Sequence, residues 1–500
     1  MFTSRENTQA VGSASAGNGT SPHVLGSEWT TRRTKAMATA DLERATIESF
    51  ENQLRGDALR PDEQGYDEAR TVWNGMIDRE PAMIAQCTGA ADVIAAVDFA
   101  RDLDLPLAVK GGGHNIAGNA VCDDGLMIDL SEMDSVRVDP ESKTATVGGG
   151  ATWGDFDHEA QAFGLATTGG IVSSTGVAGL TLGGGLGHLD RKYGLACDNL
   201  RSVDLVTADA ELVHASEDEH ADLFWGLRGG GGNFGIVTSF EFDLHEVGPE
   251  VLAGPIVHRY EDATEVFRFY RDFMRDAPDE VQCYAFFSKG SPELGLPEPL
   301  HDETIFILFP SYAGDPAEGK TALAPLQDFG DPIADAVQPM PYTSLQSFVD
   351  ERWEKGARNY WKSRFFGELT DEAIDTIVEY CDSSAPFMSV FTDGWLGGAI
   401  SRPDHDATAF PHRDKSFSFT IAMRWEDPTR DDELIAWARE FHEALEPYAS
   451  DAVYVNLLDQ DDAERVTDAY GERYDRLREL KREWDPENLF RLNQNIKPAE

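Results

Sequence analysis

The chain reads as an α+β protein built from several structural units. Three observations predict this. Short strand-like runs alternate with amphipathic helical stretches through the first half. From about 250 to 440 the composition turns aromatic, and the runs read as an antiparallel sheet mixed with helices. The 500 residues also exceed what one simple core organises.

Taken in order, residues 1–36 are rich in Ser, Thr, Gly and Asn and read as a disordered tail, with Met37 a candidate start. Helical periodicity marks 40–54 and "AADVIAAVDFARDLDLP" (90–106), which runs into the strand "LAVK". Strands follow at "LMIDL" (126–130), "SVRVD" (135–139) and "TATVGGG" (144–150). "TWGDFDHEAQAFG" is a helix with Thr152 as N-cap and Asp155 in its first turn. Residues 202–216 form a hairpin around Ala208–Asp209–Ala210, and 236–244 alternate as a strand. After the aromatic stretch, "AVYVNLL" (452–458) reads as a strand. Acidic helices follow until Asp485–Pro486 stops them. These readings divide the chain at 1–36, 37–248, 249–448 and 449–500.

Asp and Glu number 90 against 42 Lys and Arg, a formal charge of −48. That balance repels nucleic acid and anionic membrane surfaces, so neither is expected as a partner. The acid is spread along the chain, as on a solvated halophilic surface where salt screens self-repulsion. Five cysteines without CxxC spacing argue against a disulfide framework and for a reducing cytoplasm. No apolar run is long enough for a membrane helix.

Four glycine-rich stretches lie between 110 and 237: "KGGGHN", "VGGGATWGD", "TTGGIVSSTGVAGLTLGGGLGHL" and "LRGGGGNFGIV". Glycine lets backbone amides approach a ligand closely, and concave sets of amides bind phosphate oxygens. Several such loops together point to a long, phosphate-containing cofactor. The acidic residue that a Rossmann site needs is missing, there is no GxxxxGK[ST], and no HExxH or Cys/His cluster calls for a metal. His114, directly behind three glycines at a strand end, is placed to face whatever those amides hold.

"VKGGGHNIAGNAVCDDGLMIDL", "GGIVSSTGVAGLTLGGGLGHLDRKYGLACDNL", "DLFWGLRGGGGNFGIVT" and the ending "YVNLLDQDD…WDPENLFRLNQNIKP" resemble the FAD-linked oxidases. The resemblance is to the berberine bridge enzyme-like and hydroxynicotine oxidase group of the vanillyl-alcohol oxidase superfamily, over roughly 70–498. It implies a two-subdomain FAD-binding domain of the PCMH type over 37–248. It also implies an antiparallel-sheet substrate domain over 249–448 and a C-terminal segment returning to the FAD domain.

The resemblance also implies roles. Lys110, Gly111, Gly112, Gly113, His114 and Asn115 wrap the pyrophosphate, with His114 joined covalently to the flavin. Ser173, Ser174, Gly176 and Gly179 pass the pyrophosphate and the flavin. Gly235, Ile236 and Val237 meet the adenine side, and Asn456 and Asn493 contact the flavin near the chain end. Members with two covalent links carry a Cys where this chain has Val172, so a single link through His114 is expected. The nearby position often held by Val or Leu in the family, which influences oxygen access, is Thr175 here and leaves oxygen reactivity open.

The implied chemistry is hydride transfer from a small organic donor (an alcohol, sugar or amine) to FAD, with O2 or another acceptor taking the electrons. Tyr454 either takes the donor's proton as catalytic base or packs on the ring; on a strand it shares a face with Asn456. Tyr360, Trp361 and Trp395 are candidate walls of the donor pocket, and His158 and His188 read as surface or structural. A flavin dehydrogenase and a non-catalytic flavin-binding protein are the alternatives. An NAD(P)H-fed reductase is disfavoured by the missing nicotinamide fingerprint.

Overall fold

The computed structural model describes residues 44–292, 296–382, 385–386 and 389–500. Two units divide the chain, Met1–Ile47 and Glu48–Glu500. Of the first, only the start of helix Arg44–Glu51 falls among the described residues. The expected tail, Met37 and residues 40–43 of the first helical stretch lie outside them.

The second unit opens with a four-stranded sheet of β1 (Ala58–Leu59), β2 (Met83–Gln86), β3 (Leu107–Lys110) and β4 (Leu126–Asp129), in the order β1-β2-β4-β3. β4 runs parallel to both neighbours. Helix α1 (Ala90–Asp102) makes the crossover from β2 to β3 and buries Val93, Ala96, Val97, Phe99 and Ala100. That crossover aims the C-terminal end of β3, and hence the first glycine turn, out of the sheet's edge, where ligands bind in parallel sheets.

An antiparallel sheet follows: β5 (Val136–Asp139), β6 (Thr144–Gly148), β7 (Leu200–Val206), β8 (Leu212–Ser216) and β9 (Ile236–Asp243), in the order β5-β6-β9-β7-β8. The expected hairpin is the β7–β8 pair. Helix α2 (Trp153–Gln161) starts on a full capping box. Asp155 N–H donates to Thr152 Oγ1 at 3.3 Å, and Thr152 N–H donates to Asp155 Oδ2 at 2.9 Å. Trp153, Phe156, Phe240 and Phe242 are fully buried between helix and sheet. Side chains of this size contribute about 1.5–3 kcal/mol each on burial.

The aromatic stretch folds as a nine-stranded antiparallel sheet. Its centre is β10 (Val281–Lys289), β11 (Thr304–Tyr312), β12 (Arg358–Phe366), β13 (Ser389–Trp395) and β14 (Phe417–Trp425), ordered β11-β10-β13-β14-β12. Helices α3 (Ala263–Asp276), α4 (Asp371–Tyr380) and α5 (Asp431–Ala444) share a core with one face through Phe287, Tyr360, Phe419 and Ile421. The other face presents Trp361, Phe391 and Ala422 to Trp73 and Ile116 of the first sheet's loops.

The chain end packs back into the core of the five-stranded sheet, through Val453, Tyr454, Tyr470, Leu477 and Ile496. The expected strand at 452–458 does not form: Val455–Leu457 is a single 3-10 turn. This segment lies beside the edge strand β12 but forms no ladder with it: Ser450 N–H donates to Phe365 O at 2.9 Å before it, and Trp361 N–H donates to Asp459 Oδ2 at 3.2 Å after it. Its apolar side chains bury directly into the core instead. Helix α6 (Tyr474–Trp484) ends at Asp485, as the Asp–Pro pair predicts. All five cysteines are buried and unpaired. Among the described residues, no helix is long and apolar enough to cross a membrane, and no group of three His, Cys, Asp or Glu is placed to hold a metal.

Candidate active site

The four glycine loops meet. Gly112 lies so close to Gly176 that a Cβ on it would sit 2.3 Å from the Gly176 nitrogen. Gly149 N–H donates to Thr238 O at 3.1 Å, tying the second loop to β9. Val177 N–H reaches Ala151 O at 2.9 Å, joining the second loop to the third. Gly229 and Gly231 N–H both donate to Leu182 O, joining the fourth loop to the third. The C-terminal segment closes the ring. Asn456 Nδ2 donates to Leu180 O at 3.0 Å, and Asn493 Nδ2 donates to Gly232 O at 3.0 Å.

His114 stands at the mouth of this cradle. Gly113 before it has φ +69°, which turns the chain where L side chains are strained. The imidazole stacks on Trp73, centroids 4.9 Å apart and planes 22° apart. Its Nε2 lies 2.8 Å from Ser174 Oγ and its Nδ1 3.4 Å from Thr175 Oγ1. Burial, with Lys355 nearby, pulls its pKa down to about 4, so the ring is neutral at physiological pH. Trp73 is itself held: its N–H donates to Gly113 O, and its Nε1 donates to Trp353 O at 2.8 Å.

Beside His114 three tryptophans and a phenylalanine build an aromatic wall. Trp361 meets Trp73 and Trp353 edge-on at 5.7 and 5.3 Å, and Phe391 at 6.5 Å. Trp361 Nε1 and Ser363 Oγ, two residues apart on β12 and so on one face of it, are buried polar atoms without a partner. Of the three aromatics expected to line the donor pocket, only Trp361 lies on this wall beside His114. Tyr360 points to the opposite face of β12 and bonds Asp461 at 2.7 Å, because successive strand residues alternate. Trp395 packs edge-on against Phe417 at 4.5 Å, on the helix side.

Other expected contacts are engaged elsewhere. Lys110 Nζ pairs with buried Asp129 at 3.1 Å and donates to Ala69 O at 2.9 Å, so its ammonium braces the first sheet. Asn115 Oδ1 accepts from Asn119 N–H and shapes the turn. Ser173 donates through N–H and Oγ to Asp350, which fastens the third loop to the segment before β12. Ile236 and Val237 are buried within β9, and a Cβ on Gly235 would meet Leu205 and Val206, so these three offer backbone atoms only. His188 is buried edge-on to Tyr284, outside the cradle, and His158 is exposed.

Tyr454 and Asn456 do meet, through a hydrogen bond rather than a strand face: Asn456 Nδ2 lies 2.8 Å from Tyr454 Oη. Gly185 N–H donates to the same oxygen at 2.9 Å. The phenol is buried against Phe365 and Phe410, and burial raises its pKa well above the ordinary value. A phenol so placed resists ionisation, and the geometry does not give it the role of base. Sequence reasoning missed Trp73, Trp353 and Asp350. None carries a spacing signal, because each reaches the site from a loop far away in the chain.

A sequence model described as the FAD binding domain matches residues 81–216, and one described as berberine and berberine like matches 453–497. The (R)-6-hydroxynicotine oxidase of Paenarthrobacter nicotinovorans is 32% identical over 461 residues, covering 89% of this chain and 97% of that one. The crystal structure of 6-hydroxy-D-nicotine oxidase from Arthrobacter nicotinovorans superposes with a TM-score of 0.81 at 30% identity, covering 89% and 98% of the two chains. Xylooligosaccharide oxidase from Myceliophthora thermophila gives 0.81 at 25% identity, covering 91% and 100%. Fold and relatives together define an FAD-linked oxidoreductase. The chain belongs to the berberine bridge enzyme-like and hydroxynicotine oxidase group of the vanillyl-alcohol oxidase superfamily.

The cradle fits that cofactor. At Gly179 and Gly232 a Cβ would meet nothing within 4 Å, so the backbone there borders open space. Asn493 Oδ1, Gln494 Nε2 and Asn495 Oδ1 are buried amide atoms without partners. They alternate acceptor and donor along the closing segment, as a ligand rich in ring nitrogens and hydroxyls requires.

Proposed function

We propose that this chain is an oxidase that holds FAD through one covalent bond from His114 and takes a hydride from a small alcohol, sugar or amine, with oxygen as acceptor. The observation that carries the reading is the placement of His114. A neutral imidazole stands where the glycine cradle meets an aromatic chamber. The backbone of Gly111–Gly113, Gly176 and Gly179 would hold the pyrophosphate. Asn456, and Asn493 with its neighbours, would contact the flavin. FAD, when bound, supplies the two-electron sink.

The protein's own residues supply the rest. Trp361, Trp353 and Phe391 exclude water and offer flat walls to the donor. Trp361 Nε1 and Ser363 Oγ are placed to bond its heteroatom. Tyr454 acts by orienting Asn456, which it bonds together with the Leu180 carbonyl. Val172 packs in the same apolar cluster as Trp73 and offers no nucleophile, which favours a single attachment.

Acid precipitation tests the proposal. Wild-type protein should give a yellow pellet that fluoresces on a denaturing gel, and Val172→Ala should do the same. His114→Ala should release its flavin on precipitation. A colourless wild-type pellet of unmodified mass, despite bound FAD, refutes the covalent role. Anaerobic bleaching of the flavin against a library of alcohols, sugars and amines identifies the donor.

A further inference from the structure

We propose that Ser174 is a positioning residue for cofactor attachment: its hydroxyl fixes the tautomer of His114 that leaves Nδ1 as the attacking nitrogen. The inference rests on the reading that His114 forms the bond.

A neutral imidazole has one N–H and one lone pair, and the hydrogen bond at one nitrogen decides which atom carries the proton. Two hydroxyls face the His114 ring, at unequal distances. Ser174 Oγ is 2.8 Å from Nε2, an ordinary hydrogen-bond length, whereas Thr175 Oγ1 is 3.4 Å from Nδ1, at the outer limit. A proton on Nδ1 would leave a donor with only the long contact. A proton on Nε2 is well bonded, and the lone pair on Nδ1 is the group left loosely held. Poorly satisfied acceptors cost less than poorly satisfied donors, so the arrangement favours Nε2–H.

The ring is not free to escape this choice. Trp73 stacks on it, and Trp73 is bonded to Gly113 O and Trp353 O. The Ser174 backbone is held as well. Its carbonyl oxygen lies 3.2 Å from where a Cβ on Gly112 would stand, in the tight contact between the first and third loops. The ring therefore keeps its orientation, and the serine hydroxyl sets its proton.

Attachment balances on these groups. One C–N bond forms between Nδ1 and the 8α-carbon. One C–H bond of that methyl and the Nε2–H bond are broken. The two electrons and two protons released pass to oxygen as hydrogen peroxide. Ser174 serves both stages, because a hydroxyl accepts from Nε2–H before the bond forms and donates to the Nε2 lone pair afterwards.

The test has two arms. Apoprotein labelled with ¹⁵N-histidine, expressed under riboflavin limitation, should show His114 protonated at Nε2, the signal being assigned by its loss in His114→Ala. Ser174→Ala should mix the tautomers, and Ser174→Thr should restore the wild-type pattern. On adding FAD, Ser174→Ala should attach it roughly tenfold more slowly, the factor that about 1.4 kcal/mol of lost preference gives, with Ser174→Thr recovering the rate. Wild-type apoprotein protonated at Nδ1 overturns the proposal. So does Ser174→Ala protein that attaches FAD through Nδ1 at the wild-type rate. If wild-type protein attaches no flavin, the reading of His114 fails and the role of Ser174 with it, while the ¹⁵N shifts still report the tautomer.

Discussion

Replacing Lys481 by methionine should unfold the C-terminal clasp of the cradle. Lys481 and Asp485 lie one helical turn apart, and both side chains are 0% exposed. The ammonium donates to Asp485 Oδ2 at 2.7 Å, to Asn233 O at 2.7 Å and to Phe490 O at 2.9 Å. One side chain thus ties α6 to the fourth glycine loop and to the segment that carries Asn493. Removing one partner of a buried ion pair costs about 3–5 kcal/mol, because the other charge stays buried. The lower end applies here, about 3 kcal/mol. Asp485 would still accept from Leu489 and Phe490 N–H at 2.7 and 2.9 Å. Asp485→Asn should cost less, about 1–3 kcal/mol. Burial already depresses the Lys481 pKa, so the amine can shed its proton and keep both carbonyl partners. Urea unfolding of both variants in molar KCl measures the difference. A loss below about 1 kcal/mol for Lys481→Met would refute the reasoning.

Four further outcomes are expected. With a formal charge of −48, the protein should melt at lower temperature in dilute buffer than in molar KCl, and equal melting temperatures would remove the halophilic reading. Gly112→Ala should fold poorly and lose FAD, since its Cβ would stand 2.3 Å from the Gly176 nitrogen; flavin retention on a desalting column checks this. Burial pushes the Asp157 and Asp190 carboxyls up to about 7, so the folded chain holds protons that the unfolded chain releases above about pH 4. Their contribution to stability is present below that pH and lost as pH rises through 7, and Asp157→Asn should flatten the dependence of the melting temperature on pH. Reduced protein mixed with oxygen in a stopped-flow instrument should reoxidise within seconds; reoxidation over many minutes would mark a dehydrogenase with another acceptor.

Much of this architecture is legible in the sequence because it follows from local rules. Thr152 and Asp155 announce the start of α2, and Asp485 before a proline announces the end of α6. The glycine runs declare the cradle because close backbone approach excludes a Cβ, as the Gly112–Gly176 contact shows. What is not legible depends on pairing across the chain. Lys110 ends a strand directly before the glycines, and the family resemblance gives it to the pyrophosphate. Only the parallel register Lys110–Asp129 reveals that its charge is already used. The stretch 452–458 reads as a strand, but it lies beside the edge of β12 without a ladder, and Val453, Tyr454 and Val455 turn into the core instead.

The proposed donor pocket shows the same limit more sharply. Tyr360 and Trp361 are neighbours in sequence and equally aromatic, and composition cannot separate them. The β12–β14 register puts Trp361 opposite Ala422 and Tyr360 opposite Met423, one on each face of the sheet. Trp361 then meets Trp73 and Trp353, and Tyr360 meets Asp461 and the helices. A one-residue slip would exchange them. The small Ala422 lets Trp361 pack against Trp73 and Trp353, whereas Met423 fills the core, so the slipped register would force the methionine against the tryptophans. The choice of wall is therefore made by the partner strand. An Ala422→Leu substitution should crowd the wall around Trp361 and weaken donor binding while leaving the flavin attached, because the His114 ring is bonded by Ser174 of the third glycine loop and not by β14. Unchanged bleaching kinetics with the best donor would place the pocket elsewhere on the sheet.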